Sequence, residues 1–309
     1  MKDMIGINKN NAMNMNNIEL DALERYNLYV KEHFLQKKKR MTLSVFKYKC
    51  LRRIRKIIYG KKRIEGLRNP HPSINLPEEK RLKALTYDGE KKIVVFTCIT
   101  GNYEDLKDPL YISPNTDYFV FSDIETNSSI WMYKSIPEKL NNYSSADKNR
   151  YIKMHPYEFF MAYDYAVYVD GSIQIVSDIT GLINLVSEEN GVAVHRHVER
   201  DCIYKEAEIC KIFRKGNYKK IEDTVSDYKS KGFPKDYGMV ECSIIVYTIE
   251  NAKAKNIIDE WWEEYMNKKC GRDQIIFPYV LWNHQMSIDD IATLGNNIYI
   301  NSKICYIDH

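Results

Sequence analysis

The apolar positions of this chain change their period twice. Up to residue 17 they have none: the stretch is polar, rich in Asn and Met, and reads as a disordered tail. Over residues 18–36, Ile18, Leu20, Leu23, Tyr26, Val30 and Phe34 recur at three- and four-residue steps, the spacing of one helical face. In TLSVFKYKCLRRIRKIIYG, Leu43, Phe46, Cys50, Ile54 and Ile57 share a face while the basic residues lie mostly elsewhere, which describes a basic amphipathic helix. Pro70, Pro72 and Pro77 then mark a linker that runs to about Asp88.

From Lys91 onward short apolar runs alternate with longer amphipathic ones. KIVVFTCI is apolar and β-branched, the pattern of a strand buried on both faces. DYFVFSD, WMYKSI, YAVYVD, GVAVHRH and CSIIVYTI read as further strands. Between them SADKNRYIKMHPYEFF reads as a helix capped by Ser144 or Ser145 and broken near Pro156. DITGLINLVSEE, DCIYKEAEICKIF, YKKIEDTVSDYKSK, Asn251 to Lys268 and Arg272 to about Trp282 are the other helical stretches. Strands alternating with helices imply an α/β layered domain with a largely parallel sheet, here over residues 91–309, behind a helical extension and linker at 18–90.

With 309 residues, 44% of them hydrophobic, the chain can bury a sizeable core as one large domain or a domain plus an appendage. The net charge of +4 conceals an asymmetry. Residues 37–68 hold 14 Lys/Arg and one acid, Glu65, so the extension is strongly basic and the remainder acidic. Such a helix can lie on an anionic membrane, bind nucleic acid, or pack its apolar stripe on the body; it could equally pair with a second copy. No nucleic-acid fold signature accompanies it, and a nucleic-acid partner is not expected. Seven scattered cysteines with no C-x-x-C pair suggest reduced thiols and a cytosolic setting. The first residues lack the apolar core of a signal peptide, and no run reaches the ~18 apolar residues of a membrane span.

Polar residues gather where the strands end: Thr97, Thr100 and Gly101 after the first, Asp123 after the second, Asp170 and Gly171 after YAVYV, and His195 and His197 after GVAV. In open α/β sheets ligands bind outside the carboxyl ends of the strands. Asp170 beside Gly171 admits two readings. A carboxylate next to a residue without a side chain suits a divalent cation bridging a diphosphate; D-G is also a strong turn signal. His195 and His197 share one face of a strand, but two histidines without a third ligand do not make a metal site.

The ordered set TCITGNYEDL, FSD, NRYIKMHPYEFF, YVDGSI, HVERDCIYKEA, GFPKDYGMVECSIIVY and RDQIIFPYVLW covers about 190 residues from Lys91 to Trp282. Together these segments resemble a glycosyltransferase-like family once described as a domain of unknown function, with plant cell-wall and bacterial polysaccharide-cluster members. The resemblance implies a GT-A-type fold, a Rossmann-like nucleotide-sugar half fused to an acceptor half. It implies transfer from a nucleotide-diphosphate sugar, a UDP-sugar first, to a glycan or lipid-linked acceptor in surface polysaccharide synthesis. The basic extension would then hold the protein peripherally on the cytoplasmic face of an anionic membrane. A non-catalytic nucleotide- or carbohydrate-binding relative is the alternative.

The resemblance also suggests roles for single residues. Thr97 to Tyr103, with Gly101 between, would wrap the nucleotide, and Asp123 would lie near the nucleoside. Arg150, Lys153 and His155 match a basic triplet placed to meet phosphate or a sugar carboxylate. Asp170 falls where GT-A enzymes keep the metal-binding D-x-D, for manganese or magnesium, but Asp170-Gly171-Ser172 lacks the second acid. Either Ser172 or water would complete the shell, or the site works without metal. His197 and Arg200 match H-x-x-R, and Glu206 the acid after it; Asp273 and Gln274 match R-D-Q. Glu206 and Asp273 are the candidates for base or oxocarbenium stabiliser, with His197 beside them as a third catalytic candidate.

Overall fold

The computed structural model describes residues 17–37, 43–68, 76–87 and 89–307. The tail expected at 1–17 therefore lies outside the described residues except for Asn17, and so do Pro70 and Pro72. A six-stranded sheet organises the body in the order β3-β2-β1-β4-β7-β6. Its strands are β1 (Ile93–Ile99), β2 (Thr116–Ser122), β3 (Met132–Ser135), β4 (Tyr165–Val169), β6 (Val192–Arg196) and β7 (Val240–Thr248). β1 pairs in parallel with β2 and β4, and β2 with β3. β7 runs antiparallel to both β4 and β6. The fold is thus the mixed, mainly parallel sheet flanked by helices that the alternating pattern implied. β5 (Ile173–Ile175) and β8 (Ile304–Tyr306) form a separate two-stranded ribbon.

Each residue of β1 is buried, as a central strand covered on both faces requires. Residues 94, 96 and 98 face one core, with α5 (Ser145–Met154), α7 (Ile203–Phe213), α8 (Tyr218–Ser230), α9 (Ala252–Lys268) and α10 (Asp273–Asn283). Ile93 and Val95 face a second core under the ribbon. Ser144 is the N-cap of α5, accepting from the Asp147 N–H at 3.2 Å. The helix stops at Met154, before Pro156 opens the one-turn helix α6 (Pro156–Phe159), because a proline has no N–H to continue the ladder. The stretch read as a helix from Asp178 is shorter and tighter, a 3-10 turn over Thr180–Leu185.

The extension departs from its sequence reading. α1 (Asn17–Lys37) lies against the C-terminal ribbon, where the buried Lys31 Nζ donates to Tyr299 O (2.6 Å) and Asn301 O (2.7 Å). The end of the expected linker carries α4 (Glu78–Lys83), with Leu82, Ala84 and Leu85 buried; Leu85 O accepts from the buried Lys303 at 2.7 Å. In α2 (Leu43–Tyr59) the faces are reversed: Arg52, Arg55 and Lys56 are half-buried toward the body, while Leu51, Ile54, Ile57 and Ile58 are 50–81% exposed. Arg55 donates to Phe213 O at 2.7 Å and Arg52 sits over the Phe213 ring. Packing through the apolar stripe is therefore not how this helix meets the body. α3 (Lys61–Gly66) does pack by an apolar residue, Ile64, on Ile209 and Ile212 of α7.

Candidate active site

In this sheet the direction of strand connection reverses between β1 and β4, the position where open α/β sheets bind ligands. Two hollows meet there. The first, about 540 Å³, is lined by Thr100, Gly101, Tyr103, Glu104, Ser145 and Asn149 and floored by Asp170, Gly171 and Ser172. Its wall is a tight turn after β1, with Gly101 at φ 67° and Asn102 at φ 50°. Asp123 braces that turn by accepting from the Gly101 N–H at 2.7 Å. Thr100 Oγ1 donates to Ser145 O (2.7 Å), and Asn149 Nδ2 donates to Cys98 O (2.6 Å). A Cβ added at Gly171 would overlap the Glu104 carboxylate, so glycine here allows close approach to Asp170.

The second hollow, about 250 Å³, is strongly charged, and Arg150, Asp170, Ser243 and Tyr306 line both. Lys153 and Asp273 pair at 2.8 Å with only 4% of either side chain exposed, and Arg150 Nε lies 3.5 Å from the same Asp273 oxygen. Those two cations hold the Asp273 carboxyl well below the usual range against the opposing effect of burial. Its place at the first turn of α10 favours the charge further. Glu206, 1% exposed, is gripped by Arg200 and Arg272; with burial opposing, these bring its pKa down to about 2. Arg272 donates to Gln274 Oε1 (2.8 Å), Gln274 to Glu241 Oε1 (3.0 Å), and Ser243 Oγ to the same oxygen (2.7 Å). His197 Nδ1 accepts the N–H groups of Glu199 and Arg200, both at 3.1 Å, which leaves the ring proton on Nε2, and burial lowers its pKa.

Asp170 behaves differently from the other two acids. Its Oδ1 accepts from Tyr168 OH at 2.7 Å, and burial raises its pKa although Lys153 and Arg150 oppose that. By itself the protein offers a divalent cation little here. One carboxylate, already engaged by a phenol, faces two cationic side chains, and no group of three His, Cys, Asp or Glu among the described residues could hold a metal. A cation at Asp170 would therefore depend on oxygens that a bound diphosphate brings, as the sequence reading of a single carboxylate supposed.

Most of the residues singled out from the sequence converge. Arg150, Lys153, Asp170, His197, Arg200, Glu206, Asp273 and Gln274 line the charged hollow, and Gly101, Tyr103 and Gly171 line the other. Three stand apart. Thr97 is buried within β1 and lines neither hollow; Asp123 supports the turn from outside; His155 stacks on Tyr151 with ring centroids 3.8 Å apart, so the basic triplet is split. His195 is fully buried on the other side, 3.0 Å from Asn301 Nδ2. The sequence reading missed Glu241, Ser243, Lys215, Tyr306 and the N-terminal cations Arg52, Lys56 and Arg68. Glu241 sits at the amino end of β7, and the antiparallel run of that strand brings this end to the carboxyl ends of its neighbours.

A family model, "TOD1/MUCI70, glycosyltransferase-like domain", matches residues 78–298. Among curated proteins the chain is similar to the probable hexosyltransferase MUCI70 of Arabidopsis thaliana, 23% identical over 214 residues, or 61% of this chain and 37% of that protein. A shorter stretch of 67 residues is 27% identical to the Ras-related protein RABG3b of the same plant, covering 22% of this chain and 31% of that one. The chain thus spans about a third of the length of these relatives. Among solved structures, the WbbM bifunctional glycosyltransferase superposes with a TM-score of 0.38 at 14% identity, covering 63% of this chain and 38% of that one. Mouse xyloside xylosyltransferase 1 gives a TM-score of 0.37 at 7% identity, covering 65% and 83%.

Proposed function

The chain belongs to the TOD1/MUCI70 glycosyltransferase-like family, and from that premise we propose that it moves a sugar from a nucleotide-diphosphate donor to a hydroxyl of a glycan or lipid-linked acceptor. The observation that carries this reading is that Arg150 and Asp170 line both hollows. A donor laid across them would keep its nucleoside against Thr100, Gly101 and Tyr103, its diphosphate at Arg150 and its sugar over Asp170. Charge building on the departing diphosphate needs fixed positive groups in a site shielded from water. Arg150 and Lys153 supply them, and Asp273 fixes both cations in place. Glu206 does the same for Arg200 and Arg272.

Acids held so firmly ionised are weak proton acceptors, so Asp273 and Glu206 act here as positioning residues. Asp170, with its raised pKa, is the carboxylate that takes the acceptor proton or stabilises an oxocarbenium-like state. His197, with its proton on Nε2, serves as a hydrogen-bond donor to substrate. Peripheral attachment to an anionic membrane through the basic extension, and a role in surface polysaccharide synthesis, complete the proposal; among the described residues no helix is long and apolar enough to cross a membrane.

The test is thermal shift with UDP, GDP and CDP, together with nucleotide release from a panel of nucleotide sugars. We expect one diphosphate to raise Tm, and Asp170→Asn to abolish release while keeping that shift. No shift with any of the three would overturn the proposal. A shift with no release from any sugar would favour the binding-only relative.

A further inference from the structure

The charged hollow extends beyond the residues that it shares with the hollow beside β1. Arg52 and Lys56 of α2, Arg68 after α3, and Lys215 after α7 line it and do not line the hollow of Thr100 and Gly101. Eight basic and five acidic side chains line the hollow as a whole, so its charge is not balanced from within. The imbalance is local. Asp273 and Glu206 are committed to Lys153, Arg150, Arg200 and Arg272, and Arg68 lies 3.6 Å from Glu199. Arg52, Lys56 and Lys215 enter no ion pair among the described residues; Arg52 has only the Phe213 ring, at 5.6 Å. Lys215 sits in the same place with its pKa lowered by burial first and by Arg272 second. Glu206 also acts on Lys215, but that acid is already gripped by Arg200 and Arg272. Cations that line one hollow and outnumber its acids match a multiply charged anion.

The other side of the same helix says where that anion comes from. Leu51, Ile54, Ile57 and Ile58 point away from the body and are 50–81% exposed. A helix with cations toward a cleft and aliphatics toward solvent can rest on acyl chains while its inner face reaches a head group. We propose that Arg52, Lys56 and Lys215 form a phosphate subsite for a membrane-borne acceptor, whose phosphate enters the hollow while its hydrocarbon lies along the outer face of α2. This rests on the glycosyl-transfer reading and names the chemical class of its acceptor. It also makes the extension part of the site rather than only a tether.

Flotation of the full chain tests it, with phosphatidylcholine vesicles alone and with the same vesicles doped with a polyprenyl phosphate. Doped vesicles should bind the protein and plain ones should not. Arg52→Gln/Lys56→Gln should weaken that binding roughly thirtyfold, at the ordinary worth of a cation beside an anionic surface. Ile54→Ser/Ile58→Ser should weaken it as well, and neither variant should alter the Tm shift given by a nucleoside diphosphate. That last readout separates failure here from failure of the donor assignment. Equal flotation of the Gln variant, or equal flotation on plain vesicles, would overturn the subsite. So would inorganic phosphate binding that depends on Arg52 and Lys56 with no response to the Ser variant, which would mean a soluble phosphorylated acceptor. A dimer in sedimentation that the Ser variant dissolves would instead assign the outer face to a second copy.

Discussion

The two hollows that meet at Asp170 are built in opposite ways. The one beside β1 is made by backbone: a left-handed turn at Gly101 and Asn102, a glycine at 171, and side chains such as Thr100 and Asn149 that bond to nearby carbonyls. The other is made by charge, drawn from segments as far apart as Arg52 and Gln274 and held by buried ion pairs. The difference teaches what each should tolerate. A backbone-built hollow should accept changes of charge and resist added volume. A charge-built hollow should do the reverse, because removing one member of a buried pair strands its partner in a low dielectric.

The largest expected effect tests the charged side. Asp273→Asn keeps the shape but leaves Lys153 and Arg150 without their anion. Breaking a buried pair from one side costs about 3–5 kcal/mol, whereas removing both charges is often nearly neutral. Urea unfolding should therefore show a large loss in Asp273→Asn and recovery of most of it in Asp273→Asn/Lys153→Met, with turnover absent from both. A loss of under ~1 kcal/mol in the single variant would erase the contrast between the hollows.

Acid titration sharpens it next. Glu206 has a folded pKa of about 2 against an ordinary 4.5, so its stabilisation is complete above pH 4.5 and disappears as pH falls through the folded value. Between pH 4.5 and 3.5 the wild type should lose about 1 kcal/mol that Glu206→Gln does not lose. His195, outside both hollows, adds an earlier slope shared by the two proteins. Burial lowers its pKa from 6.5 to about 3, so stability begins to fall once pH drops below 6.5. Urea midpoints of wild type and Glu206→Gln that run parallel from pH 7 to about pH 5, the wild type higher, and converge below that are the expected result.

The same contrast explains what could be read from the chain. The hollow beside β1 was legible because its parts are consecutive: a buried strand, then glycine and polar residues where it ends. The central carboxylate, Asp170, was legible for the same reason. The charged hollow was legible only in part. Arg200, Glu206 and Asp273 came from resemblance in ordered segments, not from any period in the sequence. Glu241 was not legible because the rule for open α/β sheets points to the carboxyl ends of strands, and the antiparallel β7 presents its amino end there. The N-terminal cations were missed because amphipathic pattern gives the faces of a helix but not which face turns inward. For α2 the usual rule, apolar side in, fails: its cations meet the Phe213 ring and carbonyl and the charged hollow. A strand composition dense in β-branched residues decides burial; nothing local decides that Lys153 should find Asp273 120 positions away.

The smallest expected effect tests the backbone-built hollow, and it is informative because its cost is small. A methyl group at Gly171 would meet the Glu104 carboxylate, the tip of a flexible side chain, and Ile99. Glu104 can swing aside, so Gly171→Ala should lower stability by only about 1 kcal/mol, at the low end of overpacking. The displaced carboxylate and the new methyl both intrude on the space beside Asp170, so nucleoside diphosphate affinity should fall by more than that stability loss implies, roughly tenfold or about 1.4 kcal/mol. The origin can be separated by a second change. If the effect is volume, Gly171→Ala/Glu104→Ala regains stability and much of the affinity, since the overlap is gone. If the effect is charge, Glu104→Gln alone should alter affinity as strongly as Gly171→Ala does, and the double variant should gain nothing over Gly171→Ala. Calorimetric titration of the four proteins distinguishes these outcomes. The second would mean that charge, not backbone, shapes both ends of the cleft.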